Sequence, residues 1–109
     1  MKLQLNDFCE VIFDIRDMIF EINKINGATF MMEAGHEVTT CRKLYFRLYA
    51  QDKYNDFTCI YDLPDVESSE HYSLLLAIRN ILYDIHHEIE VTLNAKMHEM
   101  RKEVYSNGN

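Results

Sequence analysis

The sequence has few of the residues that interrupt regular structure, with three glycines and one proline among 109 residues. Apolar residues make up 48% of the chain, so disorder is expected only in the C-terminal tail, residues 106–109. At this length we expect one domain, residues 1–109, with a single modest core. The glycines, at positions 27, 35 and 108, lie too far apart to build a phosphate-binding loop.

Long apolar runs are also missing, because no stretch of about 18 uncharged apolar residues occurs, and the sequence therefore predicts no transmembrane helix. The N-terminus MKLQLNDF lacks the pattern of a signal peptide. The three cysteines, Cys9, Cys41 and Cys59, are scattered without Cys-x-x-Cys spacing, which indicates reduced thiols. We expect a cytoplasmic location, in the cell that encodes the protein or in an infected host cell.

Positive charge is scarce as well: 11 basic residues face 18 acidic ones, for a net charge of −7. Phosphate contact needs clustered lysine and arginine, so the balance opposes direct binding to nucleic acid. The same balance suits solubility and a basic surface on a partner protein.

The first 26 residues carry a clear helical pattern. Asp7 followed by Glu10 marks a helix start, and Asn26-Gly27 marks a stop, which predicts a helix over about residues 7–25. The apolar residues between them recur every three or four positions, as in an amphipathic helix. They are Phe8, Val11, Ile12, Ile15, Met18, Ile19, Ile22 and Ile25.

The middle of the chain, residues 28–63, favours an antiparallel sheet. KLYFRLYAQ and DFTCIYDL alternate in part and are rich in aromatic and β-branched residues, and QDKYND between them suits a turn. ATFMMEA adds a possible third strand, with Gly35 near its corner. A rival prediction makes residues 37–52 a helix, which would give an all-helical bundle. The leading prediction is an α+β fold with two or three strands.

A second helical pattern runs without glycine or proline over about residues 68–105, after Pro64 and with Ser68 or Ser69 as its cap. Such a helix would be roughly 55 Å long, whereas a domain of this size has a radius of gyration near 13 Å. The helix must therefore overhang, break or pair with another chain. We expect a homodimer through its apolar stripe, at Leu82, Ile89, Leu93, Met97 and Met100.

Histidines and acids are concentrated in DIHHEIE, residues 84–90. Zinc on a helix needs ligands three or four residues apart on one face. His86 and Glu90 have that spacing, but no second cluster supplies a further ligand. The sequence therefore predicts no metal site, and no motif indicates a cofactor.

One short motif points to catalysis. Arg79-Asn80 is followed by His86, which resembles the R-N-x-x-x-x-H signature of HEPN-type ribonucleases, with six residues here between arginine and histidine. The resemblance covers about eight residues and implies an all-helical dimer in which Arg79 and His86 serve RNA cleavage. A structural alternative places Tyr72, Arg79, His86 and Glu90 on the border of the buried face, with Arg79 paired to Glu90 or to an acid on another element.

The first helix raises a separate possibility. Glu10, Asp14, Asp17 and Glu21 form an acidic stripe almost opposite its apolar side, and Phe13 and Phe20 lie beside that stripe. Either the rest of the fold wraps far enough to cover both rings, or the six residues form a docking surface with aromatic anchors and steering charges.

The leading functional hypothesis is a protein-binding module without catalytic activity, an inhibitor or adaptor that docks on a larger, basic or nucleic-acid-handling protein. In size and charge it resembles small acidic inhibitors encoded by phages and mobile elements. The alternatives are a HEPN-like ribonuclease and a purely structural homo-oligomer.

Overall fold

A computed structural model of the chain describes residues 2–37 and 43–107. It contains helix α1 (Leu5–Asn26), strands β1 (Phe30–Glu37), β2 (Lys43–Gln51) and β3 (Phe57–Leu63), and helix α2 (Ser69–Asn107). The strands form one antiparallel sheet in the order β1-β2-β3. The α+β prediction is confirmed. The rival helix over residues 37–52 is wrong, because residues 43–51 form the central strand.

Helix α1 begins at Leu5, two residues before the predicted start at Asp7. Asp7 lies in the first turn and caps the N-terminus of the helix from there. Its carboxylate accepts a hydrogen bond of 2.7 Å from the backbone N–H of Gln4. The predicted stop is confirmed: the helix ends at Asn26, and Gly27 follows with a φ of 82°, a conformation that glycine adopts without steric cost.

The side chain of Asn23 connects the end of α1 to the start of the sheet through hydrogen bonds. Its amide nitrogen donates to the carbonyl oxygen of Phe30 at 2.8 Å. Its amide oxygen accepts from the backbone N–H groups of Thr29 at 2.9 Å and Phe30 at 3.1 Å. One partly buried side chain therefore satisfies three backbone groups where the chain turns from helix to strand.

We expect Asn23→Ala to lower the free energy of unfolding by about 1–3 kcal/mol, since it leaves partly buried backbone groups without partners. Urea denaturation followed by circular dichroism measures the change. Asn26→Ala, three residues further along and exposed, is the matched control and should stay near wild-type stability. Equal losses in both variants would contradict the role given to Asn23.

The central strand β2 has two distinct faces. Leu44, Phe46 and Leu48 are buried beneath the helices, while Tyr45, Arg47 and Tyr49 alternate with them and are partly exposed, as the sequence predicted.

Gly35 lies inside β1 rather than at the predicted corner, and it pairs with Tyr45 of β2. A Cβ atom at this position would come within 3.2 Å of the Tyr45 hydroxyl oxygen. Glycine therefore leaves room for the ring. The chain between β1 and β2, residues 38–42, lies outside the described residues, and with it Cys41.

The turn between β2 and β3 is organised by Asp52. One carboxylate oxygen accepts from the backbone N–H groups of Tyr54 at 2.8 Å and Asp56 at 3.1 Å, and the other accepts from the Thr58 hydroxyl at 3.2 Å. The two backbone hydrogen bonds, more than the hydroxyl, lower the pKa of the Asp52 carboxyl from its ordinary 3.8. Asn55 completes the turn with a φ of 67°, which asparagine tolerates better than most residues.

This turn should give the protein a pH-dependent stability. Because the pKa of Asp52 is lower in the folded than in the unfolded chain, its ionised form stabilises the fold above about pH 4 and loses that effect as the pH falls through the folded pKa. We expect Asp52→Ala to be less stable than wild type at pH 7, with the difference shrinking by about pH 3. Urea denaturation at the two pH values tests this, with Asp56→Ala as control. A difference of equal size at both pH values would contradict it.

Helix α2 starts where the sequence predicts, because the Ser68 hydroxyl accepts from the backbone N–H of His71 at 3.2 Å. The helix has 39 residues, about 58 Å at 1.5 Å per residue. It ends at Asn107, two residues beyond the predicted end near residue 105, and residues 108–109 lie outside the described residues. Within the described part of the chain, neither helix is apolar enough over a sufficient length to cross a membrane.

The two helices run parallel, and α2 is much the longer. The rings of Phe8 and Tyr72 meet edge to face near the start of both helices, with centroids 5.6 Å apart. Ile25, near the end of α1, lies beside Ile89. Beyond that point α2 projects alone. The radius of gyration is accordingly 18.6 Å and the longest extent 72 Å, against about 13 Å for the radius of a globular chain of this length.

The core is a single cluster shared by α1, β2, α2 and the loop before α2. Its buried members are Phe8, Val11, Ile12, Ile15, Met18, Ile19, Ile22, Leu44, Phe46, Leu48, Val66, Leu75, Ile78 and Leu82. The predicted apolar side of α1 is confirmed with one exception, Ile25, which is only half-buried.

Candidate docking surface on the first helix

The two aromatic rings at the centre of α1 lie outside the core. The side chain of Phe13 is 57% exposed and that of Phe20 is 66% exposed. They are seven residues apart, so they lie on one side of the helix. The possibility that the sheet and α2 wrap around to cover both rings is therefore wrong.

The rings differ in their surroundings. The guanidinium of Arg16 lies over the ring of Phe13, 5.6 Å from its centroid, a distance typical of a cation–π contact. Phe20 is the more exposed of the two and has no such contact among the described residues. Phe20 is therefore the better candidate for an anchor that enters a pocket on a partner.

The acidic stripe is divided by the structure. Glu10 and Asp17 are exposed and Glu21 is half-buried, and these three lie with Phe13 and Phe20 on what we call the outer side of α1. Asp14 was predicted to belong to the same surface. Its carboxylate accepts a hydrogen bond of 3.4 Å from the Arg79 guanidinium on α2, while the Asp14 side chain is 47% exposed.

The contact between Asp14 and Arg79 also bears on the two candidate catalytic residues, Arg79 and His86. Arg79 bonds an acid on another element, one of the two partners that the structural alternative allowed. The other candidate, His86, has its Nε2 atom 3.6 Å from a carboxylate oxygen of Glu90, one turn further along α2. Both side chains lie on the border of the α1–α2 interface, the side chain of Arg79 30% exposed and that of His86 17%.

The all-helical fold implied by the HEPN resemblance is wrong, because a three-stranded sheet covers one side of α1. Among the described residues, no three histidine, cysteine, aspartate or glutamate side chains lie close enough to hold a metal ion. Cys9 and Cys59 are free thiols, the first half-buried and the second exposed.

The predicted dimerisation residues differ in burial and fall into three groups. Leu82 is 1% exposed and belongs to the core, so its assignment to an interface with a second chain is wrong: α1 already covers it. Ile89 is half-buried at the end of α1. Leu93, Met97 and Met100 lie beyond α1 and are exposed.

A second exposed face, which the sequence analysis did not single out, lies on the outside of the sheet. Arg47 is at its centre, 3.1 Å from the Asp62 carboxylate, 3.6 Å from that of Glu33 and 5.4 Å from the centroid of the Tyr45 ring. Its charges are paired across neighbouring strands. The alternation of β2 placed Arg47 on this face, but the pairing depends on strand register, which a sequence does not show.

Comparison of the chain with protein-family models, curated proteins and solved structures finds no match.

The exposed position of Phe20 predicts a sharp contrast between two phenylalanines of one helix. Phe20→Ala should change the free energy of unfolding by no more than about 0.5 kcal/mol, as surface substitutions do. Phe8→Ala should cost about 3–5 kcal/mol, because it leaves a cavity in the core against Tyr72. Urea denaturation of both variants at one protein concentration is the measurement. A core-sized loss for Phe20→Ala would remove the ring from the candidate docking surface.

Proposed function

We propose that this chain is a protein-binding module without catalytic activity, which docks through the outer side of α1 on a larger, basic protein. The observation that carries the proposal is the exposure of Phe13 and Phe20 on a helix whose apolar side is already buried. Large exposed rings contribute nothing to the core and leave apolar surface in water. Clustered with polar neighbours, they have the form of interface anchors.

The negative charge of the outer side of α1 indicates what kind of partner would bind there. Of the acids on α1, Asp14 is paired with Arg79, while Glu10 and Asp17 are exposed and form no salt bridge within the described part of the molecule. With a net charge of −7 on the whole chain, a basic partner would be attracted over distances of about a Debye length, roughly 8 Å at physiological salt. Nucleic acid would be repelled.

A basic surface on a larger protein often serves to bind nucleic acid. A module that covers such a surface would act as an inhibitor by competition, which is the property that small acidic inhibitors of phage and mobile-element origin share. The proposal rests on size, charge and the exposed rings, and inhibition is its functional consequence.

The first experiment identifies the partner. A photo-crosslinking phenylalanine analogue replaces Phe20, and in a matched variant replaces Tyr54, which is 72% exposed in the β2–β3 turn. Both variants are irradiated in the cells that make the protein. We expect a basic protein to be linked at position 20 and not at position 54. A linkage pattern that is the same at both positions would contradict a specific surface on α1.

Binding measurements with the purified partner distinguish the contribution of the aromatic rings from that of the charges. Phe20→Ala should weaken binding by about 2 kcal/mol, roughly thirtyfold, mainly through faster dissociation. Glu10→Lys with Asp17→Lys should slow association and reduce its dependence on salt. Controls with equal changes elsewhere are Tyr54→Ala, and Asp84→Lys with Glu99→Lys on α2. If these controls weaken binding as much, the outer side of α1 is not the docking surface.

A further inference from the structure

The part of α2 that projects beyond α1 continues the same apolar stripe that forms the core. Leu82 is buried and Ile89 half-buried under α1. Leu93, Met97 and Met100 follow at steps of four and three, which keeps them on the same helical face. All described side chains from residue 90 to residue 102 are exposed. We call residues 90–107 the overhang.

None of the described side chains of the overhang, residues 90–102, belongs to the core cluster, and those near the end of α1, such as Leu93, only line an open groove with Ile25 and Asn26. At 18 residues it is close to the length at which isolated helices are marginal in water, since most helical stability in proteins comes from packing an apolar face. The exposed fractions are 44% for Leu93, 46% for Met97 and 65% for Met100. A stable overhang therefore requires something to cover this face.

We propose that a second copy of this chain covers it, with the two overhangs packed antiparallel about a two-fold axis between Leu93 and Met97. This interface is separate from the outer side of α1 and does not depend on the function proposed above. In such a pair Leu93 of one copy lies opposite Met97 of the other, and Ile89 lies opposite Met100. The apolar stripe of each copy is then covered by the stripe of its partner.

The charges along the overhang favour the antiparallel arrangement. Glu90 lies near its start and Arg101 near its end, eleven residues apart, which is about three turns and places both on the same flank of the stripe. In an antiparallel pair these flanks meet, so Glu90 of each copy is level with Arg101 of the other. In a parallel pair each flank faces the opposite flank of the other copy, so Glu90 and Arg101 would not meet and this pairing would be lost.

The shape at the end of α1 fits the same arrangement. Where α1 stops, Ile25 and Asn26 form an open groove with Ile85, Ile89 and Leu93 of α2. The partner's Met100 would reach this groove, and methionine fills irregular apolar spaces well.

Sedimentation equilibrium of the full chain tests the interface. Protein concentrations from about 1 to 100 µM are used, because a contact smaller than a standard interface is expected to dissociate in this range. We expect a reversible dimer, with Leu93→Gln raising the dissociation constant at least about tenfold. Val91→Gln is the matched control, since Val91 is 53% exposed on the opposite face, and it should leave the dimer intact. A monomer throughout the range, or equal sensitivity to both changes, would overturn the proposal.

Charge reversal tests the direction of pairing. Arg101→Glu should weaken the dimer, whereas Lys102→Glu, an equal change on the far side of the helix, should not. Adding Glu90→Arg to Arg101→Glu should restore the affinity. Thermal melts followed by circular dichroism establish that each variant is folded. Failure of the double variant to recover, with a folded protein, would overturn the antiparallel pairing.

A distance measurement gives an independent result. The three cysteines are replaced by alanine, and a spin label is attached at Asn80→Cys, an exposed site. In the antiparallel pair each label lies fifteen helical residues from the two-fold axis, so the two labels are about 45 Å apart. Parallel packing would bring them to the same height, within about 25 Å. Pulsed electron spin resonance distinguishes the two, and the shorter distance would overturn the proposal.

Discussion

The burial of one side of α1 is the constraint on which the rest of the structure depends. Seven side chains of this helix lie in the core, together with Leu44, Phe46 and Leu48 of the sheet and three leucine or isoleucine residues of α2. Each fully buried aliphatic side chain contributes about 1.5–3 kcal/mol. Without α1, neither the inner face of the sheet nor the first half of α2 would be covered.

Because α1 is covered on one side only and is shorter than α2, it leaves two apolar surfaces exposed. Phe13 and Phe20 lie on the side of α1 that faces solvent, among acids. The stripe of the overhang lies beyond the last residue of α1. The first surface is negatively charged and suits a basic partner. The second carries an acid near its start and a base near its end, and so is complementary to a copy of itself.

The candidate docking surface could be predicted in part. Helical periodicity alone separated Phe13 and Phe20 from the apolar side of α1, and composition alone gave the negative charge. Their exposure required knowledge of how far the sheet extends around the helix. The fate of Asp14 could not be predicted, because Arg79, which binds it, is 65 residues away along the chain. The hydrogen bonds of Asn23 to Thr29 and Phe30 likewise depend on the path of the backbone after α1. The ion pairs of Arg47 with Glu33 and Asp62 depend on which strands neighbour β2.

The sequence by itself determined the elements of this protein: steps of three and four residues gave both helices, alternation gave the strands, and Gly27 and Ser68 marked boundaries. Tertiary structure decided the direction of the two helices and therefore the point at which α1 stops covering α2. Leu82 and Leu93 belong to one stripe and look equivalent in the sequence, yet one is core and the other is exposed. The physical reason is that periodicity is a local property of the chain, whereas burial depends on neighbours that are distant in sequence.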